Sequence, residues 1–259
     1  LVMILRIIYK LIGMFLIISS ISIVACVHMV IAGFSIHKSR KKLIENVSKH
    51  LKLATKLLGI KINCINFKEN PNGTLYVCNH HSSIDIYILT SIVPFCFITS
   101  YEMKEAPFLG QLCTLGGCLF VERRSKKGIS SEIKNIAQAL RNHFNIMIFP
   151  EATTANGDAL LKFRRPLFQA AIDAKVSVRP VCMNYTKING EKLSTINRDH
   201  LFWYGEMSFV THFLRVCALK SIEVDVHFLE TLKVGEHTTK EELAILSFNQ
   251  ISEVFRPLT

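Results

Sequence analysis

The chain has 259 residues, a formal charge of +11 and eight cysteines. The cysteines (26, 64, 78, 96, 113, 118, 182 and 217) form no Cys-x-x-Cys pair. A chain this long folds without staples, so they read as small buried apolar side chains in a reducing compartment, not as a disulfide framework. The charge would suit a nucleic-acid binder, but nine Lys and Arg against Glu45 alone place +8 of the +11 within residues 1–56. No nucleic-acid motif accompanies it.

Between Lys10 and His37 no Lys, Arg, Asp or Glu occurs. At about 1.5 Å per helical residue the run is long enough for a hydrocarbon core of about 30 Å. It is too long for a signal-peptide core and no small-x-small cleavage site follows, so a membrane helix is expected. His28, Ser19, Ser20 and Ser22 interrupt the run, which leaves a tilted or half-inserted helix open beside a full span. Arg6 and Lys10 precede it, while Lys38, Arg40, Lys41 and Lys42 follow at once, so the positive-inside rule puts the downstream domain on the cytoplasmic side. Over 41–58, Lys42, Lys49, Lys52 and Lys56 alternate with Leu43, Ile44, Val47, Leu51, Ala54 and Leu58 at helical spacing. That pattern describes a basic amphipathic helix on an anionic membrane surface. Residues 1–58 are therefore expected to form a membrane anchor, and 59–259 a single domain.

After Gly59 short apolar runs alternate with helical patterns. Strands are expected at 75–78, 95–99, 118–121, 146–149, 177–183 and 221–229, and helices at 84–92, 129–142, 164–174 and 239–255. The alternation predicts an α/β fold with a mostly parallel sheet flanked by helices. In such folds ligands bind at the carboxyl edge of the strands. There, Asn79-His80-His81-Ser82-Ser83-Ile84-Asp85 follows a buried strand and enters an apolar helix, with Ser82 or Ser83 placed to cap it. Asp85 is close enough to reach back to His80, and an imidazole held by a carboxylate can act as a general base near neutral pH. His81 is the rival base. Cys78, His80 and His81 have no further ligand cluster at useful spacing, so no metal site is expected.

Other strand ends also deliver polar residues: Lys104 after the strand at 95–99, Arg123 after Gly117–Val121, and Glu151 and Thr153 after Ile146–Phe149. Lys162 follows, and then Val178-Arg179-Pro180.

In that order, Asn79-His80…Asp85, Gly117…Phe120…Arg123, Phe149-Pro150-Glu151-Ala152-Thr153 and Val178-Arg179-Pro180 resemble the four blocks of the glycerolipid acyltransferases typified by 1-acylglycerol-3-phosphate acyltransferase. The resemblance covers residues ~50 to ~230, and apolar N-terminal helices are also typical of that family. Trp203-Tyr204-Gly205-Glu206-Met207 looks similar to the bacterial branch that includes lyso-ornithine-lipid acyltransferases. Two departures stand out. The family's glycine in the third block is Ala152, which makes a positive φ harder there. Pro166 replaces a small residue, although proline suits the first turn of a helix.

The resemblance implies an enzyme of the bacterial inner membrane that transfers a fatty acyl group from acyl-CoA or acyl carrier protein (acyl-ACP) to a lysophospholipid. Lysophosphatidate is the first choice of acceptor and lyso-ornithine lipid the alternative. No permanently bound cofactor is expected. The residues fit that chemistry: His80 with Asp85 as the base, Lys104, Arg123 and Lys162 for a phosphate, and Glu151 and Thr153 for acceptor hydroxyls or the turn. A hydrolase using Cys78 or Ser82 lacks the Gly-x-Ser-x-Gly elbow. A basic membrane-surface adaptor with no activity would account for residues 1–56 but leave the ordered blocks unexplained.

Overall fold

A computed structural model describes residues 1–68, 70, 73–105, 109–121 and 126–259. The chain opens with α1 (Val2–Ile31) and α2 (Ile36–Leu58), which run side by side in opposite directions. Ser35 caps α2 by accepting a hydrogen bond from the Lys38 amide, and Gly59 closes it in the left-handed region (φ +77°). A Cβ at Gly59 would stand 2.5 Å from the Lys220 carbonyl, so the connection requires glycine.

The sheet and its helices follow as β1 (Ile60–Ile65), β2 (Leu75–Cys78), α3 (Asp85–Ile92), β3 (Cys96–Ser100), α4 (Tyr101–Glu105), α5 (Leu109–Leu115), β4 (Leu119–Val121), α6 (Lys126–Arg141) and β5 (Ile146–Ile148). Then come α7 (Gln169–Ala174), β6 (Val178–Ile188), β7 (Glu191–Lys192), α8 (Phe209–Ala218), β8 (Ile222–Phe228) and α9 (Lys240–Val254). The strand order is β1-β8-β6-β2-β5-β3-β4, with the short β7 on β6. From β6 to β4 all neighbours are parallel; β8 pairs antiparallel with β6 and carries β1 parallel to itself. The expected mostly parallel α/β sheet is present, with a reversed β8–β1 edge that the sequence reading did not include.

Side chains alternate across a strand, and β2, buried on both faces, divides the core. Tyr76 and Cys78 join a cluster with Met14 of α1, Leu51, Ala54 and Leu58 of α2, Ile88 and Leu89 of α3, and Val216 of α8. Leu75 and Val77 face the other cluster, with Ile136 and Leu140 of α6, Ala170 and Ala171 of α7, and Leu243 and Ile251 of α9. The consecutive strands β5 and β6 flank β2 on opposite sides. The end of β2 is thus a topological switch point, where open α/β sheets form their crevice.

α1 is long and apolar enough to cross a membrane, but it is tied to the domain along its length. Lys10, 4% exposed, donates to the carbonyls of Leu58 and Leu219, both at 2.7 Å, and Arg6 donates to Ala218 O. Asn46 Nδ2 donates to Ile21 O, and His50 pairs with Ser20. The opposite face of α1, including Leu5, Ile12, Phe15, Leu16, Ile23 and Val27, is exposed.

Candidate active site

β2 ends at Cys78, and the next seven residues fold around one carboxylate. Asp85 Oδ2 accepts from His80 Nδ1 (2.8 Å) and from the amides of His81 (2.8 Å) and Ser82 (3.0 Å). Asp85 Oδ1 accepts from the buried Tyr185 hydroxyl at 2.5 Å. The expected serine cap is corrected: neither Ser82 nor Ser83 caps α3, because their hydroxyls pair with Leu201 O and His212 Nε2, while Asp85 in the first turn reaches back to the preceding His81 and Ser82 amides. Burial is the largest influence on Asp85 and would raise it; His80, His81 and Tyr185 together outweigh burial and hold the carboxyl below the usual range.

An ionised Asp85 requires His80 Nδ1 to carry the proton, which leaves Nε2 with its lone pair. No described residue hydrogen-bonds Nε2, and the ring stacks on Phe149 at 3.9 Å with an interplanar angle of 11°. The side chain is 15% exposed, enough to meet a substrate.

His81, the rival, is excluded by its own contacts. Asn79 Oδ1 accepts from the Met183 amide, so Asn79 Nδ2 is a donor, and it lies 2.9 Å from His81 Nε2. His81 Nδ1 then donates to Ala155 O at 3.2 Å. Both ring nitrogens are occupied, the ring stacks with Phe202 and with Phe255, and burial lowers its pKa. His81 is a neutral structural histidine.

Beside the His80 ring, Phe149-Pro150-Glu151 leaves β5. Glu151 is 3% exposed, yet neither carboxyl oxygen has a hydrogen-bond partner among the described residues. Burial pushes it up to about 8, the nearby Leu161 and His80 amides oppose the shift, and Asp85 adds to it. Ala152 takes a left-handed conformation (φ +59°) where the family has glycine, and its amide donates to Phe149 O. The loop then returns to the turn after β2, where the Ala155 amide donates to His80 O at 2.7 Å. Pro166 opens a 3-10 turn, Pro166–Phe168, before α7, as the sequence reading allowed.

Thr153 and Lys162 stand exposed on this loop. Lys104, exposed after β3, lies over the rings of Tyr101 (5.3 Å) and Phe120 (5.6 Å). Arg123 lies outside the described residues. His80, Asp85 and Glu151 are thus brought together, whereas Lys104, Thr153 and Lys162 sit on exposed surface at the same sheet edge. Tyr185 and Phe149 escaped the sequence reading as site residues. Phe149 was visible as part of Phe-Pro-Glu, but Tyr185 lies 100 positions from its partner and carries no local signal.

Comparison with known proteins places this geometry. Residues 61–184, which hold all four blocks, match the Acyltransferase family model. The chain is 30% identical over 210 residues to the lyso-ornithine lipid O-acyltransferase of Rhizobium meliloti (strain 1021), covering 78% of this chain and 72% of that protein. It is 32% identical over 161 residues to the 1-acyl-sn-glycerol-3-phosphate acyltransferase of Neisseria gonorrhoeae, covering 62% and 61%. The crystal structure of the 1-acyl-sn-glycerophosphate acyltransferase from Thermotoga maritima shares the fold, with a TM-score of 0.67 over 98% of this chain and 97% of that one at 16% identity. The chain belongs to the acyltransferase family that includes the 1-acylglycerol-3-phosphate and lyso-ornithine lipid acyltransferases.

Proposed function

We propose that the enzyme esterifies the free hydroxyl of a lysolipid with a fatty acyl group from acyl-CoA or acyl-ACP, and that His80 is the general base. The observation that carries this reading is the free Nε2 of an imidazole whose Nδ1 is fixed on a buried carboxylate. Nε2 takes the hydroxyl proton as the oxygen attacks the thioester carbonyl. The tetrahedral intermediate then expels the thiolate, which recovers the proton from the imidazolium. The products are an ester and a free thiol. Asp85 fixes the tautomer and stabilises the transient imidazolium. Cys78 is a poor nucleophile for a covalent route, since burial and the Asp85 charge hold it as the thiol. Direct attack in a ternary complex therefore fits better than an acyl-enzyme.

Lysophosphatidate as acceptor fits the cations Lys104, Lys162 and Arg123 expected around its phosphate, with Glu151 and Thr153 toward its glycerol. Glu151, held largely protonated at neutral pH, offers both a donor and an acceptor to a hydroxyl-bearing ligand. Lyso-ornithine lipid is the second reading, favoured by the longer similarity to the Rhizobium relative. Membrane association is supported by the apolar outer face of α1 and by the exposed Lys41, Lys42, Lys49, Lys52 and Lys56 of α2. Because α1 is bonded along a helix carrying those charges, we read the pair as lying in the membrane interface. The excess of Lys and Arg after the apolar run favours the cytoplasmic face.

The test is labelled acyl-CoA or acyl-ACP with a panel of lysolipids. Diacyl product supports the reading; free fatty acid alone, or no turnover with any acceptor, contradicts it. A phosphate-binding Arg123 requires Arg123→Ala to lose about ten- to a hundredfold in kcat/KM for lysophosphatidate. Monoacylglycerol should be little affected.

A further inference from the structure

The turn from His80 to Asp85 has to set Nδ1 of one against Oδ2 of the other. Asp85 fixes its inner side through the His81 and Ser82 amides. Its outer side is held by a histidine that the transfer chemistry does not use. His212, fully buried in α8, places Nε2 2.9 Å from Ser83 Oγ and 3.4 Å from Ser82 Oγ. Ser82 Oγ in turn donates to Leu201 O at 2.8 Å. The His212 ring stacks on Trp203 (5.9 Å, 15°), whose amide donates to His81 O at 2.9 Å. Three successive residues of the catalytic turn, 81, 82 and 83, are thus each tied to the segment 201–212.

His212 does not itself exchange protons with a substrate. Its side chain has no exposed surface, and Nδ1 is buried without a hydrogen-bond partner among the described residues. Burial pushes it down to about 4, against the pull of the Asp85 charge, so the ring is neutral in the working range and does not compete with His80 for that carboxylate.

We propose that His212 is a positioning residue that, through Ser83 and Ser82, holds the catalytic turn so that the His80 imidazole stays on Asp85. The idea rests on His80 as the base, and His80→Ala in the same assays reports on that reading separately. If His80→Ala keeps wild-type activity, the base assignment fails whatever His212 does.

Full-length protein in phosphatidylglycerol/phosphatidylethanolamine vesicles is assayed with acyl-CoA and lysophosphatidate. His212→Leu should lower kcat by about ten- to a hundredfold, with KM for the lysolipid within about twofold, because a misplaced base weakens the chemical step and not binding. His212→Gln, whose amide reaches the position of Nε2, should recover most of that loss. In an Asp85→Asn background, His212→Leu should cost less than about a further twofold, since both act through the same imidazole. A fully additive loss, a loss confined to KM, or no difference between Leu and Gln would overturn the proposal. If His212→Leu does not fold, Ser83→Ala carries the same test. It should lower kcat at unchanged KM, and an unaffected kcat would overturn the assignment.

Discussion

The two walls of the site at the end of β2 follow opposite rules. On the wall built from residues 79–85, the carboxylate, the neighbouring amides and the second histidine all have partners; His80 Nε2 is left open. On the wall built from residues 149–153, Glu151 is just as buried, yet neither oxygen has a hydrogen-bond partner among the described residues, with only the nearby Leu161 and His80 amides easing its charge. Unpaired buried polar groups cost free energy, so a buried carboxyl in this position stays largely protonated. The contrast teaches that one side pairs its polar groups within the protein around a single open imidazole nitrogen, while the other keeps a buried carboxyl that no described residue hydrogen-bonds.

Breaking the first wall should have the largest effect. Asp85→Asn cannot hold the same imidazole tautomer, and kcat should fall by roughly 10²–10⁴. A steady-state assay checks it, with circular dichroism confirming the fold. Tyr185→Phe removes one charge-assisted bond to the same carboxylate. The expected cost is about 1.5–3 kcal/mol, read as a loss of stability in urea melts together with a lower kcat.

The walls should also answer pH in opposite directions. Asp85 sits below its ordinary value of 3.8, so its contribution to stability is present above that value and is lost as pH falls through the folded-state value. Glu151 is raised from 4.5 to about 8, so its contribution is complete below about 4.5 and is lost as pH rises to about 8. Between those limits wild type should lose stability with a slope of at most about 1.4 kcal/mol per pH unit from this group, and Glu151→Gln should remove that slope. Denaturant titrations at several pH values measure both. The smallest change is expected from Ala152→Gly. It relieves a left-handed alanine and should raise stability by about 0.5–1 kcal/mol at unchanged activity.

The same division explains what the sequence could convey. The His80–Asp85 pair was readable because five residues of turn and a buried strand fix it locally. The long strands of the core were readable from apolar runs. β1 was not, because Ile60-Lys61-Ile62-Asn63 alternates at an edge directly after a basic helix and looks like its continuation. The serine cap does not form because the Ser82 and Ser83 hydroxyls are drawn to Leu201 O and His212, partners more than a hundred positions away. Tyr185 and His212 reach the turn from 100 and 129 positions away, a distance at which only the folded sheet brings partners together. The left-handed backbone at Ala152 was foreseen as a difficulty from the missing glycine. The chain adopts it regardless, held by the contacts on either side.

The central claim, an Asp85-held His80 that takes the proton of a lysolipid hydroxyl, is tested most directly by single-turnover acyl transfer. Wild type, His80→Ala and His81→Ala, each loaded with labelled acyl-CoA, are mixed with lysophosphatidate or lyso-ornithine lipid. The account predicts diacyl product from wild type and a rate constant lower by roughly 10²–10⁴ for His80→Ala with its melting temperature retained. It predicts that His81→Ala loses stability more than intrinsic rate. An active His80→Ala beside a folded but inactive His81→Ala would contradict it.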